Sequence, residues 1–411
     1  MDAAEEPRPP AAVEVEPRPT KTGLGRAATV EFEHVSKVYG AAEKGTPGAV
    51  NDLSLVVPAG RICVLVGPSG CGKTTSLKMV NRLIEPTAGR ILIGGVDAAS
   101  REVTELRRSI GYVIQSTGLF PHQTIGTNVA VVPRLLGWDA AHQRERTDEL
   151  LELVGLDPTR YRDRYPSQLS GGERQRVGVA RALAADPPVM LMDEPFGAVD
   201  PIVRDRLQNE FLRLQGELAK TILFVTHDID EAIKMGDLVA VMQAGGKVAQ
   251  FGTPAEILAA PASDFVARFV GADRGLKRLS LVRVGDLTFR PAVTARVGDS
   301  AGPAGEALRN VGVAHLLLVD AEDRPIGWIG YDDIPGDGAL SADLAVAGSP
   351  LFDRSTTLKD ALSMLLDADV QAGIVVDRQG RVEGLVTAGM IASWLSEDAP
   401  RGDDGPRPGA G

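Results

Sequence analysis

Between residues 29 and 271, short apolar runs alternate with longer stretches whose apolar positions recur at helical spacing. The runs at 62–66 and 189–192 are bounded by glycine or acidic residues and have the length of single strands. The stretch at 204–218 has the length and spacing of a helix. Strands that alternate with helices are typical of a largely parallel sheet. The pattern therefore predicts an α/β domain over 29–271.

The pattern changes over 276–396, where one segment occurs twice. Residues 316–329 resemble residues 373–386, and both Asp320 to Asp377 and Gly327 to Gly384 are 57 positions apart. Each copy contains an apolar strand, a polar turn and a second strand, preceded by a helical stretch such as 358–366. The repeat predicts a second, α+β region built from two similar units. The flanking segments, 1–28 and 397–411, have no hydrophobic period and are predicted to be disordered tails.

Composition narrows the classes of function. The chain has 411 residues, enough for two or three domains, and a net charge of −11, which argues against nucleic acid as its main partner. Cys63 and Cys71 are its only cysteines, and two thiols in one short stretch favour a reducing cytosol. Because no apolar run approaches the roughly 20 residues of a membrane span and no signal peptide is evident, any membrane role requires a membrane-embedded partner.

Residues 67–74, GPSGCGKT, directly follow the strand predicted at 62–66 and match G-x-x-x-x-G-K-[ST]. Glycines let consecutive backbone N–H groups curve around phosphate oxygens, and the following helix adds its positive end. We expect Lys73 to reach the β- and γ-phosphates and the Thr74 hydroxyl to bind Mg²⁺. The alternative is a glycine-rich turn without a ligand. The predicted nucleotide contacts in this loop are Gly67, Pro68, Ser69, Gly70, Cys71, Gly72, Lys73, Thr74 and Thr75.

Two acidic residues end the strand predicted at 189–192. Asp193 and Glu194 would lie at the carboxyl end of a buried strand, where open α/β sheets bind ligands. Behind a phosphate-binding loop, Asp193 suits Mg²⁺, and Glu194 suits polarising the water that attacks the γ-phosphate. Taken alone, the same pair would more often be a solvated turn.

Residues 169–173, LSGGE, combine a capping box with a glycine pair. Ser170 and Glu173 have the S-x-x-E spacing that opens a helix. Between a phosphate-binding loop and an Asp-Glu strand end, this segment resembles the LSGGQ signature of ABC ATPases. The resemblance implies that Ser170, Gly171 and Gly172 face the γ-phosphate held by another copy of the chain. Glu173 departs from the usual Gln, and we expect its side chain to serve the helix cap.

Other elements of that family occur in the same order. Gln115 matches the glutamine that contacts Mg²⁺ and senses the membrane subunit, Asp200 matches an acidic residue at the subunit interface, and His227 matches the switch histidine at the γ-phosphate. Tyr39 stands where the family stacks an aromatic ring on adenine. The resemblance implies a P-loop NTPase fold, with a RecA-like core and a helical subdomain at about 120–185.

Residues 114–122 and 224–232 are similar to the ATPase subunits of importers for quaternary amines, and the repeat at 276–396 resembles a tandem pair of cystathionine-β-synthase (CBS) domains. The resemblance implies that ATP and Mg²⁺ are cofactors and that hydrolysis drives uptake of glycine betaine, proline betaine, choline or carnitine. It implies a head-to-tail homodimer bound to an integral membrane permease, which in turn receives solute from a solute-binding protein. The protein would lie peripherally on the cytoplasmic face of the bacterial plasma membrane.

Several alternatives stay open. The solute could instead be another small molecule such as an amino acid. A non-transport ABC ATPase for DNA repair would carry a long insertion, and the 55 positions between Gln115 and Ser170 leave no room for one. In the CBS pair, the nucleotide motif is incomplete, since the copy at 327–333 lacks the hydroxyl residue and the copy at 384–390 lacks the Asp. A nucleotide regulator, ionic-strength sensing and simple dimerisation therefore all remain open for this pair.

Overall fold

The computed structural model describes residues 27–40, 48–114, 118–197, 200–346, 348–368 and 371–397. These residues form two compact units: the first extends to Gly271, and the second begins at Ala272 and also includes Leu258–Ala260. Most of both predicted tails lies outside the described residues. Ala28, predicted to be in the first tail, instead donates its N–H to the Pro188 carbonyl, because it packs beside the buried core. Glu397, predicted to begin the second tail, ends a helix.

The strands of the first unit form two sheets. One has the order β2-β1-β4-β5 and is antiparallel, and the other has the order β10-β9-β3-β8-β7-β6. In the second sheet only the pairing of β10 with β9 is antiparallel, which agrees with the predicted parallel core. The strands are β1 (Val30–Lys37), β2 (Val50–Val57), β3 (Ile62–Val66), β4 (Ala88–Ile93), β5 (Val96–Asp97), β6 (Ile110–Val113), β7 (Val189–Asp193), β8 (Thr221–Thr226), β9 (Leu238–Gln243) and β10 (Lys247–Gly252).

Helices cover the parallel sheet, and a helical insertion separates β6 from β7. This insertion confirms the subdomain predicted at about 120–185. The helices are α1 (Lys73–Val80), α2 (Val103–Arg108), α3 (Ile125–Val129), α4 (Val131–Leu135), α5 (Ala140–Leu153), α6 (Pro158–Tyr161), α7 (Gly171–Leu183), α8 (Pro201–Leu218), α9 (Ile229–Met235), α10 (Pro254–Ala259) and α11 (Asp264–Val270).

The three central strands explain where the site forms. Every residue of β3, β7 and β8 is buried, as expected for strands covered on both faces. Because these strands are parallel neighbours, their carboxyl ends meet at one edge of the sheet. The polar residues that follow them are thereby brought together at that edge.

The second unit contains two copies of one fold, each a three-stranded sheet with a helix between its first and second strands. Pairing of His315 with Gly330 in the first copy corresponds to pairing of Ala372 with Thr387 in the second, so the 57-residue repeat holds in the hydrogen-bonded register. The elements are α12 (Arg274–Leu279), β11 (Thr294–Arg296), α13 (Ala301–Val311), β12 (His315–Val319), β13 (Pro325–Gly330), β14 (Leu351–Phe352), α14 (Leu358–Leu366), β15 (Ala372–Val376), β16 (Val382–Thr387) and α15 (Ala388–Glu397).

The two copies are joined at their sheets. Trp328 packs with Leu317 and Ile374 in a buried cluster that draws on both copies. The indole N–H of Trp328 donates to Ser349 Oγ (2.5 Å), and that hydroxyl donates to the Ala372 carbonyl (2.9 Å). Among the described residues, no helix is both long enough and apolar enough to span a membrane.

Candidate nucleotide site

The loop between β3 and α1 forms a cradle that requires glycine. Gly72 has φ 98°, in the left-handed region, and a Cβ there would lie 2.4 Å from the Ala49 carbonyl oxygen. At Gly67 a Cβ would lie 2.2 Å from the Met242 carbonyl oxygen. Ser69 and Gly70 are exposed at the tip of the loop, and Cys71 is buried beneath it. The loop is therefore a close-packed backbone turn that leads directly into a helix N-terminus.

Lys73 begins α1 and extends its side chain back along the loop. Its ammonium donates to the carbonyl oxygens of Gly67 (2.7 Å) and Pro68 (2.9 Å), and the residue is only 6% exposed. The two acceptors are neutral carbonyl oxygens, so neither of them offsets the charge of the ammonium as a carboxylate would. This charge is available to a bound phosphate.

Thr74 and Asp193 meet beneath the loop. Thr74 Oγ1 donates to Asp193 Oδ1 at 2.9 Å. Burial raises the pKa of Asp193, and the Thr74 hydroxyl and the nearby Lys78 and Lys73 oppose this increase. A hydroxyl and a carboxylate are oxygen ligands of the kind that Mg²⁺ uses when it also binds phosphates and water. The donor set fits the predicted Mg²⁺ site.

Glu194 lies beyond β7 in an unusual backbone conformation. Its φ is 46°, its N–H donates to the Val225 carbonyl (2.9 Å), and its Oε1 lies 3.2 Å from Nδ1 of His227. The Glu194 side chain is 22% exposed and the His227 side chain 59%. The strained turn projects the carboxylate toward the imidazole at the end of the neighbouring strand. Sequence analysis predicted both residues for the site but not this contact.

Ser170 caps α7 as the sequence predicts. Its Oγ accepts from the Glu173 N–H (3.3 Å), and Glu173 Oε2 accepts from the Ser170 N–H (2.7 Å), which confirms the capping box. Ser170 and Gly171 are exposed, whereas Gly172 packs near Val203. Within the described part of the chain, none of the three signature residues is hydrogen-bonded to the glycine loop.

The remaining predicted residues have mixed outcomes. Tyr39 is 56% exposed two residues beyond the end of β1, and the Lys37 ammonium lies 5.3 Å from its ring centroid. Asp200 is exposed and caps α8, since its Oδ1 accepts from the Ile202 N–H (3.0 Å). Gln115 lies outside the described residues, as do the two residues that precede Asp200. Thr75 lies in the first turn of α1 and is half-buried.

Two residues near this site were missed by sequence reasoning. Tyr161 donates its hydroxyl to Glu173 Oε1 (2.7 Å), although it lies in a different helix. Glu231, in α9, is buried; Gln208 donates to it (3.0 Å), and burial raises its pKa. Glu231 lies in the segment 224–232 that carries the family resemblance, but no local motif marks Tyr161. Both contacts depend on the tertiary packing of separate helices.

The site combines a glycine cradle and a buried lysine with a Thr–Asp pair and a Glu–His pair at one sheet edge, and a serine-capped helix lies elsewhere in the chain. This combination defines an ATP-binding cassette. The ABC transporter family model matches residues 50–197 and the CBS domain model matches residues 348–397. The solved structure of cbiO1 from Clostridium perfringens, part of the ABC transporter complex cbiONQ, is 26% identical with a TM-score of 0.53. That similarity covers 61% of this chain and 94% of that chain.

Curated relatives extend the similarity to nearly the whole chain. The osmoprotectant import ATP-binding protein OsmV of Salmonella typhimurium is 45% identical over 90% of this chain and 97% of its own length. The glycine betaine/carnitine/choline transport ATP-binding protein OpuCA of Bacillus subtilis is 44% identical over 91% of this chain and 98% of its own length. This chain belongs to the family of ATP-binding subunits of ABC importers for osmoprotectants, with a C-terminal CBS region.

Proposed function

We propose that this protein hydrolyses Mg·ATP in two sites shared between two copies and thereby powers a membrane permease. The observation that carries the proposal is the meeting of the glycine cradle, Asp193, Glu194 and His227 at one edge of the sheet. Each of these groups has a place in phosphoryl transfer, which depends on positioning and on stabilising charge.

Each residue of the site has a role that follows from its chemistry. Lys73 and the loop N–H groups bind the β- and γ-phosphates, and Thr74 and Asp193 hold Mg²⁺. Bound Mg²⁺ neutralises charge that develops on the phosphate oxygens. Glu194 accepts a proton from the attacking water, and His227, 3.2 Å away, orients that carboxylate and contacts the γ-phosphate. By the sequence resemblance, Gln115 would be a further Mg²⁺ ligand and the Tyr39 ring would stack on adenine.

The glycine cradle with Asp193 and Glu194 forms one half-site and the N-terminus of α7 forms the other, and dimerisation would join a half-site from each copy. Ser170 and Gly171 are exposed on the end of α7, where a second copy can reach them. In a head-to-tail homodimer, the helix N-terminus of one copy would face the γ-phosphate held by the other. Asp200, also exposed, would lie at the same interface. ATP binding would close the dimer and hydrolysis would reopen it, and this motion would drive the permease.

The solute is a quaternary amine, such as glycine betaine, proline betaine, choline or carnitine. The names of the close relatives support this class, since they include osmoprotectant import and glycine betaine, carnitine and choline transport. Recognition of a quaternary ammonium favours a cage of aromatic faces, and the three Trp residues of this chain lie in separate segments. The cage would belong to a solute-binding protein that feeds the permease.

The proposal is tested by reconstituting the permease in vesicles and adding this protein to the face of the membrane that corresponds to the cytoplasm. We expect ATP hydrolysis to rise when glycine betaine, choline or carnitine is supplied with the binding protein. Stimulation by an amino acid, and not by any of the three quaternary amines, would instead support the alternative solute class. ATP hydrolysis by the same vesicles, measured at several salt concentrations and with added adenine nucleotides, would distinguish ionic-strength sensing, nucleotide regulation and simple dimerisation by the CBS pair.

A further inference from the structure

Glu173 places a negative charge next to Ser170. The hydrogen bond from Tyr161, and then that from the Ser170 N–H, lower the pKa of Glu173 to about 2, so the side chain is a carboxylate at neutral pH. A carboxylate at the third position of a helix is favourable for the helix itself. It is unfavourable for a triphosphate that approaches the same helix end, because like charges repel strongly where water is excluded.

Both oxygens of this carboxylate are held by hydrogen bonds. Oε2 accepts from the Ser170 N–H (2.7 Å), and Oε1 accepts from the Tyr161 hydroxyl (2.7 Å). The first bond lies within the cap of α7, but the second comes from α6. Without the Tyr161 hydroxyl, Oε1 would need another donor, and the side chain could rotate about its own bonds toward the exposed end of the helix.

Tyr161 is itself fixed by its surroundings. The Arg164 guanidinium lies 4.9 Å from its ring centroid. The next residue, Arg162, accepts the Gly126 N–H at its carbonyl (2.8 Å), and the Arg164 carbonyl accepts the Ile125 N–H (2.8 Å). These bonds tie the segment after Tyr161 to the first turn of α3. The backbone that follows Tyr161 is therefore held by α3 and not by α7, the helix that carries Glu173.

We propose that Tyr161 is a positioning residue for the shared nucleotide site, because its hydroxyl holds the Glu173 carboxylate on the Ser170 N–H and away from the triphosphate of the facing copy. This inference rests on the proposed function, since it requires that Ser170 meet a nucleotide bound by a second copy. It predicts that Tyr161 matters for closing the dimer and not for the first binding of ATP.

The test is a double-mutant cycle in the full-length chain. All proteins carry Glu194→Gln so that ATP is retained, and Tyr161→Phe and Glu173→Gln are made singly and together. Sedimentation velocity with increasing Mg·ATP gives the ATP concentration for half-maximal dimerisation, and a fluorescent ATP analogue measures binding to dilute monomer. Tyr165→Phe is the matched control, since it removes the same oxygen from an exposed tyrosine four positions along.

We expect Tyr161→Phe to raise the ATP concentration for dimerisation about tenfold, as for loss of a hydrogen bond to a charged group. In the Glu173→Gln background the same change should have less than about a twofold effect, because no charge then needs to be held. ATP binding to the monomer should stay near the parent value in every variant, and Tyr165→Phe should match the parent in all measured properties. A small fall in melting temperature is expected for Tyr161→Phe, because the hydrogen bond to the Glu173 carboxylate is lost.

An equal shift in both backgrounds, or no shift in either, would overturn the role of Tyr161 while leaving the shared site intact. If the Glu194→Gln parent itself formed no dimer with Mg·ATP, the proposed function and this inference would fail together.

Discussion

Thr74 Oγ1 lies 2.9 Å from Asp193 Oδ1, although 119 positions separate the two residues in the chain. The bond joins the first turn of α1 to the carboxyl end of β7, two strands away from the strand that precedes the loop. It therefore links the phosphate cradle directly to the acidic end of β7 within one chain.

The first prediction concerns this pair. Thr74→Val removes the hydroxyl but preserves the side-chain shape, and we expect Mg²⁺-dependent ATP affinity to fall about tenfold to a hundredfold, as when a metal ligand or its support is lost. Thr74→Ser should retain most of the affinity. Titration of ATP with and without Mg²⁺ measures the effect. Equal loss in both conditions would show that Thr74 acts on the loop and not on the metal.

The second prediction concerns Glu194. Glu194→Gln should retain ATP binding, lower the rate of phosphate release about a hundredfold or more, and accumulate a closed dimer in Mg·ATP. Glu152→Gln is the control, because Glu152 is an exposed carboxylate on α5. Phosphate release and sedimentation are measured on the same samples. Turnover at the parent rate in Glu194→Gln would refute its role as the base.

The third prediction is a pH dependence. The pKa of Glu173 is lowered from 4.5 to about 2 in the folded chain, so its contribution to stability is complete above pH 4.5 and is lost as pH falls toward 2. Urea unfolding of the parent and of Glu173→Gln should therefore give curves that differ at pH 6 and converge as pH falls through this window. A difference that persisted unchanged at pH 3 would contradict the capping interaction.

The fourth prediction concerns the second unit. Trp328→Phe retains an aromatic ring in the cluster between the two copies but removes the N–H that binds Ser349. We expect the free energy of unfolding of this unit to fall by about 1 kcal/mol. Trp138→Phe, in the helical insertion, serves as the control for the loss of one indole. Calorimetry of the full chain should show the shift in one transition only.

The sequence predicted the elements whose signals are local. The capping box of Ser170 and Glu173 is defined by a four-residue spacing, and the structure confirms both of its hydrogen bonds. The 57-residue repeat needs only comparison of two segments, and it recurs in the strand register. The runs at 62–66 and 189–192 are continuously apolar, and their location in the sheet centre follows from that composition.

Features that depend on distant parts of the chain could not be predicted. The antiparallel sheet of β1, β2, β4 and β5 was not anticipated, since its strands contain polar residues and its order is set by packing. The left-handed backbone of Glu194 has no sequence signal, because glutamate rarely adopts it and only the surrounding fold enforces it. The partnership of Tyr161 with Glu173 similarly requires two helices to be packed together.

A complementation assay tests the shared site most directly. Lys73→Ala removes the cradle's charge and Ser170→Arg blocks the signature helix, and each variant alone should have almost no ATPase activity. When the two are mixed, each mixed dimer has one intact pair of half-sites, so we predict recovery of up to about a quarter of the parent rate for random pairing. No recovery in mixtures that demonstrably contain mixed dimers would contradict a site built from two copies.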